Sequence, residues 1–343
     1  MALFFFNNLL GSIISGLLSS AKSSSLFLSS CFSSSTELPF NADIPIISSN
    51  EIIFSGRISS DVKQFTVMAA KNLKSNSLFG WNCLDECRYN CMWRTVKGFE
   101  QRGYDIPKFH GKWPFERFFG MQEPGSTLAS FLNLAAHVRM HMVYMKKFPL
   151  DDVDNMVLFW HLFAVVCMNA WAWSTLFHMR DCPFTEFMDY ACALSMVMIM
   201  YIAAVIRVFK KRRTLTTSIV VLSALVFAQH LVYLYTARVD YHYNMMLNLF
   251  FGVSGSAIWL CWGVAQWVSG RRYAWRVVAF VLVSAAALSL ELLDFPPYFY
   301  VWDAHALWHL ATVPLPFLFY RFVIDDLQYT RRGEDTKPDF KTA

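Results

Sequence analysis

The sequence predicts an all-α, polytopic membrane protein: a seven-transmembrane helix bundle with its N-terminus lumenal and its C-terminus cytosolic. Three observations lead there. Of 343 residues, 55% are hydrophobic and only 16% are charged, against about a quarter charged in soluble domains. Seven apolar runs reach the ~20 residues that a helix needs to cross a bilayer. Short basic clusters alternate with those runs, as topology signals do. The net charge of +5 sits largely in these clusters, so it argues for membrane orientation and against a nucleic-acid surface.

The expected spans lie near 125–145, 155–178, 186–208, 214–237, 243–267, 274–293 and 304–323. Lys146 and Lys147 follow the first span, and Lys210, Lys211, Arg212 and Arg213 follow the third. Arg271 and Arg272 follow the fifth, and Arg331 and Arg332 follow the seventh. The positive-inside rule puts these clusters in the cytosol. Residues before 125 are then lumenal or extracellular, and residues 324–343 form a cytosolic tail.

Residues 1–20, MALFFFNNLLGSIISGLLSS, have an apolar core followed by small residues and are expected to be a signal peptide, although a basic leading segment is missing. Residues 21–124 form a Ser-rich, Cys-containing lumenal region. Cys83, Cys87 and Cys91, together with Cys182 between the second and third spans, face an oxidising compartment, where disulfides are the expected state. The spacing of the first three lacks the tight pairs of a zinc knuckle. Cys167, Cys192 and Cys261 fall within spans and are expected to pack.

Topology turns scattered polar residues into a site. The second span runs towards the lumen and carries Ser174 and His178 near its end. The third span starts in the lumen and carries Asp189. The seventh also starts there, with His305 and His309. Four-residue spacing puts each pair on one helix face about a turn apart, so all five groups can meet in one layer. Ionisable groups in a span mark a functional site by default. Three imidazoles, a carboxylate and a hydroxyl are the parts of a hydrolytic zinc site. His137 and His141 share the spacing but lie at the opposite, cytosolic end, as does His161. They are expected to be interfacial or helix-packing residues, and His230 and His242 have no comparable partner.

The runs CRYNCMWRT, FHGKWPFERFFGMQEPGS, NAWAWSTLFHMRDCPFTEFMDY and ELLDFPPYFYVWDAHALWHLATVPLPF resemble the Per1-like family, from about residue 81 to about 325. The wider CREST superfamily, which includes alkaline ceramidases and the adiponectin and progestin receptors, shares a serine, an aspartate and three histidines. Ser174, His178, Asp189, His305 and His309 match them. Per1-like proteins usually carry a further cysteine block with a Gly-Asp-Arg motif near the N-terminus, whereas residues 19–80 here hold only Cys31.

The resemblance implies a CREST-like hydrolase domain over residues 125–323, in a multi-pass protein of the endoplasmic reticulum or Golgi membrane with its site facing the lumen. It implies action on the lipid of glycosylphosphatidylinositol (GPI)-anchored proteins, by removal of the sn-2 acyl chain in a phospholipase A2-type step. His178, His305 and His309 would then hold Zn²⁺, Asp189 would handle the proton of the attacking water, and Ser174 would donate to the oxyanion. Asp303, Glu291 and Asp294 are candidates to support the ligands, and Asp303 is equally suited to cap the last helix. Arg180 and Lys112 are candidates for an anionic headgroup. Two rival functions remain: a ceramidase-like amidase, and a non-catalytic receptor or lipid-binding factor with structural zinc.

Overall fold

The computed structural model describes residues 80–152, 154–236 and 240–333. The expected signal peptide, the Ser-rich stretch and the end of the tail lie outside the described residues. The described residues divide into two units, 80–114 and 115–333. Among the described residues there is no strand, only three isolated bridges.

The described part of the first unit opens with helix α1, Cys83–Glu100, which the apolar-run reading did not anticipate. A reciprocal cap starts it: the Asp85 N–H donates to Asn82 Oδ1 at 2.9 Å, and the Asn82 N–H donates to Asp85 Oδ2 at 3.2 Å. Each such pair satisfies amides that a helix start leaves orphaned. Cys83, Cys87 and Cys91 are one turn apart along α1 and are free thiols, as is Cys182 in the other unit. Among the described residues no disulfide joins them. Successive turns of one helix project cysteine side chains roughly in parallel, which suits a disulfide poorly.

The second unit is a helical bundle: α2 (Pro124–Met145), α3 (Asn155–Met179), α4 (Pro183–Val208), α5 (Arg213–Thr236), α6 (Tyr241–Val268), α7 (Trp275–Leu293), α8 (Ala304–Thr312) and α9 (Leu315–Arg331). Local chemistry sets the boundaries. Pro124 and Pro183 occupy first-turn positions, where a missing N–H costs nothing. Asp154, Asp240 and Asp303 cap α3, α6 and α8 through their carboxylates. α7 stops at Asp294 in a left-handed conformation, φ 43°, shortly before Pro296 and Pro297.

Among the described residues, six helical segments are long and apolar enough to cross a membrane: α3, α4, α5, α6, Arg272–Leu293 and Ala304–Arg331. α2 is not among them, because Ser126, Thr127, Ser130, Asn133, His137, Arg139 and His141 dilute its apolarity. All but two of those side chains are buried, His141 being half-buried and Arg139 exposed, so α2 turns most of its polar face into the bundle. The last segment differs from the single expected span. It breaks between α8 and α9 at Val313–Pro314 and then runs on to Arg331. Proline can neither donate a helical hydrogen bond nor avoid the preceding turn. The Val313 N–H shifts to Leu310 O at 3.2 Å, and the His309 carbonyl it leaves accepts from Asn133 Nδ2 on α2 at 2.7 Å and from Thr312 Oγ1 at 2.7 Å.

Neighbouring elements close a ring. α2 packs on α3, α3 on α4, α4 on α6, α6 on α7, α7 on α8 and α9, and both of these on α2; α5 lies outside against α4. The core is aromatic, built around Trp160, Phe163, Trp259, Phe319 and Phe322. Leu222, Leu225, Phe250, Val253 and Leu282 remain exposed on α5, α6 and α7. Apolar surface on this scale is what a lipid environment covers.

Candidate metal centre

Three loops converge where α2 and α8 begin and α3 ends. The segment before α2 is stitched to the end of α3: the Gln122 N–H donates to Met179 O and the Glu123 N–H to His178 O, both at 3.0 Å. Asp181 N–H donates to Gln122 Oε1 at 3.1 Å. The segment before α8 joins them through Glu116 N–H to Tyr300 O at 2.9 Å. At Gly125 a Cβ would stand 2.4 Å from Val301 O, so only glycine allows this close approach of α2 to the 298–302 loop.

That scaffold brings His178, His305 and His309 together. One ligand atom from each lies within 4.8 Å of the others, a group that could hold a metal ion. The ring centroids of His178 lie 5.2 Å from both His305 and His309, and the last two are 4.4 Å apart. His178 Nδ1 is 2.6 Å from Glu123 Oε2, and His305 Nδ1 is 2.8 Å from Glu291 Oε2. Each carboxylate therefore fixes its ring's orientation and leaves Nε2 for the centre. Carboxylate-backed histidines of this kind are the usual support of metal ligands.

Two buried nitrogens, His178 Nε2 and His309 Nδ1, have no hydrogen-bond partner. An unsatisfied buried polar atom is costly, and an ion accepting imidazole lone pairs removes that cost. His305 Nε2 and His309 Nε2 approach to 2.9 Å. The donor set fits a borderline metal that takes nitrogen ligands.

The other expected site residues are placed as follows. Ser174 is buried on α3 one turn before His178, with its Oγ 3.1 Å from Ser130 Oγ on α2. Asp189 is half-buried on α4; the next residue, Tyr190, packs its ring 6.1 Å from Phe177 beside His178, so Asp189 sits level with the end of α3. Glu291 lies against His305, and its other oxygen accepts from Tyr241 OH at 2.9 Å.

Asp303 caps α8, accepting the Ala306 N–H at 2.8 Å. Burial pushes its carboxyl above the ordinary range, opposed by the neighbouring His305 and by that N–H. Asp294 ends α7. Arg180 ends α3, donating its N–H to Leu176 O at 3.0 Å. Lys112 belongs to the first unit, where it pairs with Phe109.

The remaining histidines stay apart. His137 Nδ1 faces Tyr320 OH at 3.4 Å, and His141 Nε2 lies 2.9 Å from His161 Nδ1, whose Nε2 reaches Phe148 O at 3.0 Å. These are helix-packing contacts. His230 is fully buried beside Tyr243.

Glu123 was missed in the sequence. It precedes the first expected span and reads as a loop residue; the one visible hint is its position just before Pro124, where a helix begins. Ser130 and Asn133 were missed too, because small polar residues in a span carry little signal.

Comparison with known proteins gives the same outline. Residues 74–327 match the model of the Per1-like family. A zebrafish (Danio rerio) protein named "GPI-specific phospholipase A2-like PGAP3" is 46% identical over 268 residues, 77% of this chain and 83% of the relative. "Post-GPI attachment to proteins factor 3" of Drosophila melanogaster is 43% identical over 248 residues, 72% of this chain and 75% of the relative. The human (Homo sapiens) "GPI-specific phospholipase A2-like PGAP3" is 41% identical over 263 residues, 76% and 81% of the two chains. With the family model matched over most of its length and relatives of this identity, the chain belongs to the Per1-like family.

Proposed function

We propose that this protein remodels GPI anchors by hydrolysing the sn-2 acyl ester of the anchor phosphatidylinositol on GPI-anchored proteins. The observation that carries the reading is the convergence of His178, His305 and His309, with Glu123 and Glu291 behind two of them. The relatives' names, GPI-specific phospholipase A2-like, supply the substrate class.

The triad would hold Zn²⁺, which would lower the pKa of a bound water to about 7 and polarise an ester carbonyl. The protein's own groups do the rest. Glu123 and Glu291 keep the Nδ1 hydrogens of His178 and His305, so both Nε2 lone pairs point inward. Asp189 accepts the proton of the attacking water. Ser174 donates to the carbonyl oxygen as negative charge builds there. The tight stitching of the three loops limits water to the site.

We place α2 as the first of seven spans, with residues before it lumenal and the C-terminus cytosolic. The alternating basic clusters support this. The centre then faces the lumenal leaflet of the endoplasmic reticulum or Golgi, where anchored lipids reside.

The test is anchor-lipid analysis of a GPI-anchored reporter in cells lacking the protein. Wild type is expected to restore loss of the sn-2 chain, and His309→Ala at matched expression is expected not to. Equal rescue by both would reassign the protein as a non-catalytic factor.

A further inference from the structure

Ser130 is fully buried on α2, and its hydroxyl lies 3.1 Å from that of Ser174. Neither hydroxyl has another hydrogen-bond partner among the described residues. That is unusual within this bundle. A helical serine or threonine ordinarily turns its hydroxyl back onto the carbonyl four residues earlier. Thr127, Thr175 and Ser284 do so here, to Glu123 O, Trp171 O and Phe280 O, at 2.8, 2.8 and 2.7 Å. Ser174, next to Thr175, reaches across to α2 instead.

Its position gives that choice a consequence. Trp171, Ser174 and His178 fall at i, i+3 and i+7, one face of α3. Trp171 packs on the His309 ring at 5.3 Å, and His178 packs on both His305 and His309. Ser174 therefore lies on the face that meets the triad. Each hydroxyl has one hydrogen and two acceptor sites, so the pair closes one bond and keeps one hydrogen. Were Ser174 the donor, the spare hydrogen would be on fully buried Ser130 with nothing recorded to receive it, a costly arrangement. With Ser130 as donor, the spare hydrogen belongs to Ser174, on the face of α3 that meets the triad.

We propose that Ser130 is a positioning residue: it donates to Ser174, holds that side chain off its own helix backbone, and aims the Ser174 hydrogen at the reacting carbonyl oxygen. The inference rests on the role given to Ser174 above. α2 then holds the centre at three points, with Glu123 on His178, Ser130 on Ser174 and Asn133 on the His309 carbonyl. Without Ser130, Ser174 can bond to Ala170 O as its helical neighbours do, which turns its hydrogen away.

A double-mutant cycle on the purified, zinc-loaded full chain in lipid nanodiscs tests this, using wild type, Ser130→Ala, Ser174→Ala and the double variant. For each, sn-2 deacylation kcat and KM, zinc content and thermal unfolding are measured. Ser130→Ala is expected to lower kcat about tenfold, part of the roughly 10²–10³-fold that loss of an oxyanion donor costs, with KM and zinc content unchanged. In the Ser174→Ala background the same substitution is expected to change kcat less than twofold. An equal drop in both backgrounds, or no drop from Ser130→Ala, overturns the inference. If the wild type shows no deacylation, the proposed function fails by itself. The unfolding cycle still reads the bond: non-additive effects on stability support it and additive effects overturn it.

Discussion

His178→Ala is expected to abolish both zinc binding and deacylation while leaving the bundle folded. His178 is one of the two buried members of a triad that could hold a metal ion, so its removal would leave two imidazoles, too few to hold one. Zinc content of the purified protein should fall from one per chain to near zero, and activity should fall roughly 10³-fold or more. The comparison that gives this result meaning is Glu123→Gln, which keeps the ring in place but weakens the group behind Nδ1. Loss of such a supporting carboxylate costs about 10–100-fold in metal affinity or activity. If His178→Ala retained its zinc, or Glu123→Gln left affinity unchanged, the ligand assignment would be wrong. Metal analysis and a zinc titration at fixed pH read both.

The second large effect is on stability, at the opposite end of the bundle from the triad. Asp326 on α9 accepts Arg207 Nε at 2.7 Å and Nη2 at 2.9 Å from α4, and Tyr273 OH at 2.9 Å from the short turn before α7. Both charged side chains are buried, and Arg207 also stacks on Trp262 of α6, 4.9 Å from its ring centre. Asp326→Ala would leave the buried guanidinium without its carboxylate, a change that costs about 3–5 kcal/mol. Replacing both partners with apolar residues of similar size, Arg207→Met with Asp326→Leu, should recover most of that loss. Reversible unfolding in detergent micelles would reveal the pattern. A double variant no more stable than Asp326→Ala would show that the pair contributes more than mutual neutralisation.

This ion pair also shows where sequence reading stopped short. The last span was expected to end near residue 323, with residues 324–343 as a cytosolic tail. The helix continues to Arg331 since Asp326 finds a buried partner 119 residues away. The five expected spans from residue 155 to 293 match helices long and apolar enough to cross a membrane, because apolar runs of the right length leave a helix as the one hydrogen-bonded solution in lipid. Their limits follow from signals that are local and visible, such as Pro183, Asp154 and Asp240.

The site was legible for a similar reason. His305 and His309 share a helix face by spacing alone, and opposite chain directions bring His178 to the same end. Its supports were less so. Glu291 could be picked out as a carboxylate near the right end, but Glu123 reaches His178 only because residues 121–123 dock on the end of α3. Nothing in the local pattern around Glu123 announces that docking. The break at Pro314 is visible as a proline, yet the way it is tolerated, through Asn133 on another helix, belongs to the tertiary structure.

The most direct measurement is product analysis with the purified protein. Full-chain protein, loaded with zinc in lipid nanodiscs, is given a GPI-anchored protein whose anchor carries a labelled sn-2 acyl chain. Release of the labelled fatty acid with a matching lyso-anchor, absent with His305→Ala of equal fold, is the result expected. Folded, zinc-loaded wild type that releases no fatty acid from the sn-2 position would contradict the account.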